Sequence, residues 1–105
     1  MRLQAFMEAL IELTERNLGA LLITELTPPG RLAVGAYRGW RLHVVALLRQ
    51  TRLNTNATDA GWYADALLAT VGAQQYAYQR RELRMSQRRI TENAKTLVAA
   101  IVRAG

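Results

Sequence analysis

The chain has 105 residues, 50% of them hydrophobic, and no cysteine; that suffices for one domain with its own core and excludes disulfides and thiolate metal sites. Its formal charge of +6 rests on arginine, since Lys95 is the single lysine among 14 basic residues. Arginine's planar fork grips phosphate in two places and stacks on bases, so nucleic acid is the first anionic partner to consider. A GC-rich genome would raise arginine and alanine together, but codon bias gives no account of where the arginines stand.

Leu3, Phe6, Leu10 and Leu13 recur at spacings of three and four and predict an amphipathic first helix, with Glu8, Glu12, Glu15 and Arg16 turned away. Glu8 and Glu12 interrupt the only N-terminal apolar run, which argues against a signal peptide. The longest apolar runs, 18–23 and 42–48, are too short to span a bilayer, so a soluble, cytoplasmic protein is expected. Asn17-Leu18-Gly19 resembles a helix stop with glycine near C′. Residues 20–26 admit two readings. They either restart a helix after a kink or form a strand that turns at Thr27-Pro28-Pro29-Gly30 into a second strand at 32–37.

Residues 31–52 carry five arginines and no acid. At about 100° per residue, Arg31, Arg38, Arg41, Arg49 and Arg52 fall within a sector of roughly 80°, opposite Ala33, Tyr37, Trp40, Val44, Leu47 and Leu48. This separation favours a helix, and Thr27-Pro28 suits an N-cap and N1 pair. Gly30, Gly35 and Gly39 weigh against it. Asn54-Thr55-Asn56-Ala57-Thr58-Asp59 is the clearest loop, with Thr58 or Asp59 placed to cap the next helix.

Residues 60–102 read as helix throughout. Leu67, Val71 and Tyr78 share one strip; Leu83, Ile90, Leu97 and Ile101 share another, opposite Arg81, Arg84, Arg88 and Lys95. One helix of that length would run about 64 Å, so a break near Gly72 or Ser86 is expected. The expected fold is a single all-α basic domain over 1–105, a bundle of three to five helices; the alternative is α+β with a hairpin at 20–48.

No catalytic constellation is visible. His43 has no cysteine to join and no acid within helical reach, so no metal site is expected. Asp59 and Asp65 would not share a helical face, and Glu82 and Glu92 stand among arginines that keep them ionised. Phosphate loops, nucleophile elbows and metalloprotease spacings are lacking, so neither enzyme activity nor a cofactor is expected. Trp40, Trp62, Tyr63, Tyr76 and Tyr78 have flat faces suited to stacking; Trp40 reads as core, and Tyr76 and Tyr78 precede Arg80-Arg81 in a polar stretch.

A charged stripe is usually a solvated helix face. Five arginines with no acid nearby repel one another until an anion arrives, which favours a binding surface over one laced with salt bridges. The candidate nucleic-acid contacts are therefore Arg31, Arg38, Arg41, Arg49 and Arg52 on one face, and Arg80, Arg81, Arg84, Arg88 and Lys95 on another. A membrane partner is not expected, because apolar groups oppose the basic ones instead of flanking them.

A small, helical, cysteine-free, arginine-rich chain with basic segments at 31–52 and 80–95 resembles the helical small subunit of multi-subunit CRISPR effector complexes. The resemblance spans the chain from Leu3 to Val102 in size, helicity and charge, without a diagnostic motif. It implies a role in antiviral defence: a few copies assembled along a ribonucleoprotein, using arginines to hold RNA or single-stranded DNA. The alternative is a structural or scaffold protein, such as a phage component, that self-associates through the sevenfold spacing of Leu83, Ile90 and Leu97. A helix-turn-helix regulator ranks third, for want of an exposed recognition helix after a tight turn.

Overall fold

In a computed structural model the chain is described at residues 1–27, 35–51, 53 and 55–104. Six helices run through them: α1 (Arg2–Arg16), α2 (Leu18–Leu26), α3 (Gly35–Arg49), α4 (Ala57–Thr70), α5 (Ala73–Arg81) and α6 (Gln87–Ala104). No strand occurs among the described residues, so the protein is all-α and the hairpin alternative falls. Six helices exceed the expected three to five because the chain breaks at Asn17, at Gly72 and before Ser86. The proposed turn at Pro28-Pro29-Gly30, together with Ala33, lies outside the described residues.

Each break has a local cause. Asn17, at φ −123° and ψ 24°, leaves the helical range, and its Nδ2 donates to Leu13 O at 2.9 Å, ending α1. Gly19 is not the C′ residue expected there; it lies inside α2. Thr27 is the C-cap of α2, its N–H donating to Ile23 O, so it does not cap the arginine helix, which begins at Gly35. Asn56, not Thr58 or Asp59, caps α4: its side chain accepts from Asp59 N at 2.8 Å. Ser86 caps α6 by accepting from Arg89 N at 3.0 Å.

The core joins α1 to α6 and α3 to α4, with α2 laid against α5. Leu3, Met7 and Ile11 of α1 meet Val44 and Leu48 of α3, Leu67 of α4, Tyr76 of α5 and Val98 of α6, all nearly fully buried. Overall extents of 37 × 30 × 17 Å describe a slab less than two helix diameters deep, so most helices keep one face outside.

Two sequence strips shift register. The break at Gly72 rotates α5 relative to α4, so Tyr76 takes the inward position and Tyr78 turns out at 48% exposure. On α6 the buried face is Ile90, Ala94 and Val98, spaced by four; Leu97 is 39% exposed and Leu83 lies in the turn before the helix. A continuous Leu83–Ile90–Leu97 seam is therefore not formed.

α2 contributes no buried residue, and Ile23 and Leu26 are exposed. A carboxylate holds it in place. The N-cap of α5 is Gly72, which has no side chain to cap it, and Glu25 of α2 supplies the acceptors: Oε2 from Ala73 N at 2.6 Å and Oε1 from Gln74 N at 3.1 Å. Unsatisfied N–H groups and the positive end of a helix dipole favour an anion there.

Candidate nucleic-acid interface

α3 confirms the separation of charge from core but not the whole stripe. Tyr37, Val44, Leu47 and Leu48 are buried, Trp40 is half-buried, and Arg38, Leu42 and Arg49 share the outward strip. Arg38 and Arg49 have no ion pair among the described residues. Arg31 and Arg52 lie outside the described residues.

Arg41 does find an acid, contrary to the expectation of five unpaired arginines. Its Nε donates to Asp65 Oδ1 of α4 at 2.9 Å, and Tyr37 Oη donates to the same oxygen at 2.8 Å. The carboxylate raises the Arg41 pKa further, keeping the guanidinium charged. Gly61 makes the approach possible. A Cβ added there would stand 2.5 Å from Arg41 Nη2, so the guanidinium lies across the bare backbone of α4. A glycine inside a helical pattern can have a packing reason, and Gly61 is the sequence feature that could have pointed to this seam. Trp62, one residue further, turns outward at 68% exposure, its ring edge-on to Tyr63 at 5.6 Å.

The second basic set divides the same way. Arg80 is a structural clip: Nε donates to Glu15 Oε1 at 2.7 Å and Nη1 to Met85 O at 3.0 Å, tying the α5–α6 turn to α1. Tyr76 Oη donates to the same Glu15 oxygen at 2.7 Å. Glu15 therefore does not face away from the core as its place in the pattern suggests. The Tyr76 hydroxyl lowers the Glu15 pKa, burial opposes that, and Arg80 lowers it further. Burial, then Glu15, pushes the Tyr76 phenol up, and full burial leaves its ring no face open for stacking.

Lys95 pairs with Glu8 of α1, and Arg88 with Glu92 one turn along α6 at 3.2 Å. The second pair is highly exposed, a class worth about 0.3–0.5 kcal/mol, and a phosphate competes with it readily. Arg81 and Arg84 are exposed without an ion pair among the described residues, as is Arg89, which the helical projection left out. Of the ten candidate contacts, Arg38, Arg49, Arg81 and Arg84 thus stand free, and Arg41, Arg80 and Lys95 join helix to helix.

A cavity of about 90 Å³ lies between α1, α2, α3 and α4, walled mainly by Leu10, Leu21, Trp40, Leu68 and Val71. Thr14 reaches its edge, but the hydroxyl is committed to Leu10 O at 2.9 Å and Val71 O at 3.4 Å. His43 sits edge-on to Phe6 at 4.6 Å, and no three His, Cys, Asp or Glu side chains cluster among the described residues as a metal ion would require. No helix among them is long and apolar enough to cross a membrane. Comparison with family models, characterised proteins and solved structures finds no match to this chain.

Proposed function

We propose that the protein is a non-catalytic nucleic-acid-binding subunit of a ribonucleoprotein assembly. One observation carries this reading: exposed arginines with no acidic partner among the described residues, Arg38 and Arg49 on one strip of α3 and Arg81 and Arg84 at the α5–α6 turn, stand on a surface that also exposes two aromatic residues, Trp62 on α4 and Tyr78 one turn before Arg81. Unpaired guanidinium groups supply phosphate contacts and an aromatic face supplies sequence-tolerant stacking. The assembly named by this reading is of the kind served by the helical small subunit of CRISPR effectors. Protein partners, copies of this chain included, would seat on the apolar residues left outside, such as Ile23, Leu26 and Leu97.

The test is fluorescence anisotropy with labelled oligonucleotides across a salt series. If those four arginines meet phosphate, log affinity should fall against log salt with a slope of roughly −2.8 to −3.6. Affinity that is flat with salt, or no binding at low salt, refutes the proposal.

A second reading is favoured by the cavity, whose apolar walls suit a small apolar ligand. Filling it with Val71→Leu should abolish any thermal stabilisation by a probe such as indole; if indole does not stabilise the unmodified protein, this reading fails.

A further inference from the structure

The α5–α6 turn differs from the α3 face in geometry. Leu83 N–H reaches five residues back to Tyr78 O at 3.1 Å, and Met85 N–H six back to Gln79 O at 2.9 Å. Between them Arg84 takes φ 56°, the only positive φ at a non-glycine among the described residues. That conformation is natural to glycine or asparagine at a helix C-terminus and costs other residues free energy. An arginine standing where glycine would be more stable is informative when its side chain is exposed and unpaired, as here. The turn is also held rigidly, because Arg80 clips Met85 O to Glu15.

On α5, Gln74, Tyr78 and Arg81 are spaced four and three apart, so they share one exposed face that runs into the turn. Tyr78 is the middle of that face and has no ring contact among the described residues, whereas Trp62 already lies edge-on to Tyr63. A base stacks on such a ring only when it is unpaired and can leave its own stack. We infer that this face is a subsite for single-stranded nucleic acid, in which Tyr78 stacks one base while Arg81 and Arg84 hold the flanking phosphates. The inference rests on the nucleic-acid reading above and narrows it. Duplex binding, by contrast, needs only the phosphate contacts and falls equally to the α3 face.

The experiment compares oligo-dT, oligo-U and a duplex of equal length on the full chain, with Tyr78→Ala, Arg84→Gly and, as control, Arg38→Ala/Arg49→Ala. Tyr78→Ala should weaken single-strand binding at least about fivefold while leaving duplex affinity within about twofold. Arg84→Gly should raise the Tm and weaken single-strand binding together, so loss of fold does not explain the loss of binding. Similar losses on dT and U place the contact on base faces and phosphates; a loss on U alone assigns the strand as RNA. If Tyr78→Ala leaves single-strand affinity unchanged while the unmodified protein binds, this subsite is overturned and the broader reading stands. Should no oligonucleotide bind at low salt, both fall.

Discussion

Arg41→Ala and the double variant Arg38→Ala/Arg49→Ala should separate stability from binding, although all three residues belong to one arginine stripe. Arg41 and Asp65 are 41% and 47% exposed, so solvent screens their pair and its share of stability is on the order of 0.2–1 kcal/mol. Losing the side chain that covers Gly61 adds to this, which brings the expected cost to about 1 kcal/mol. For a domain of this size that lowers the Tm by ~4 °C or more. Arg38 and Arg49 touch no acid among the described residues, and their removal should stay within about 0.5 kcal/mol. Their removal should instead flatten the salt slope of binding by roughly 1.4 to 1.8. Urea unfolding followed by far-ultraviolet circular dichroism reads the first effect and anisotropy the second. If Arg41→Ala unfolds at the wild-type midpoint yet flattens the slope as much as either neighbour, the guanidinium is a phosphate contact and the seam assigned to it is wrong.

Three further outcomes test the packing. Ile90→Ala should cost about 2–5 kcal/mol and Leu97→Ala under about 1 kcal/mol, because only Ile90 is buried; equal urea midpoints would restore the seam that the register shift removes. The Glu15 carboxyl is held below its ordinary value of 4.5, so its stabilisation is present above that pH and lost as pH falls through the lower folded value; Glu15→Gln should flatten the acid limb of a stability profile, and an unchanged limb counts against the Tyr76–Glu15–Arg80 cluster. Glu25→Ala should cost about 1 kcal/mol and speed amide exchange across residues 18–26, since α2 has no fully buried side chain and otherwise rests on half-buried Leu18, Leu21 and Leu22; protection that survives the change would mean that apolar contact alone docks α2.

Helical periodicity made the main elements legible and placed Arg38 and Arg49 outside correctly, because both properties depend on residues within one or two turns. Arg41 escapes that pattern because its partner stands 24 residues away on another helix, outside the arginine segment itself. The Tyr76 and Tyr78 ambiguity has a similar origin: the two rings point apart on any helix, and only the rotation at Gly72 decides which goes in. Nothing in the local pattern marks Glu25, which caps α5 from 48 residues upstream. Leu83 continued an apolar repeat on paper that the turn before Ser86 interrupts. For Arg41 and Glu25 a tertiary contact fixes the role of the side chain, and for Tyr76, Tyr78 and Leu83 a break between helices resets the register.

The charge balance gives the candidate surfaces a further physical basis. With 14 basic and 8 acidic residues, some cations must go without an acid however the pairs fall, and the fold decides which. Glu8, Glu15 and Asp65 are spent between helices, against Lys95, Arg80 and Arg41 in turn, and Glu25 is spent on a helix N-terminus. Drawing the acids into these seams displaces the surplus positive charge to Arg38 and Arg49 on one side and to Arg81, Arg84 and Arg89 on another. Those residues gain nothing from the fold, and Arg84 carries a backbone cost as well. Like charges so placed repel one another unless counterions or a polyanion gather there, and a polyanion that does so releases those counterions. The same pairs that hold the helices together therefore create the two faces on which an anionic strand would be bound.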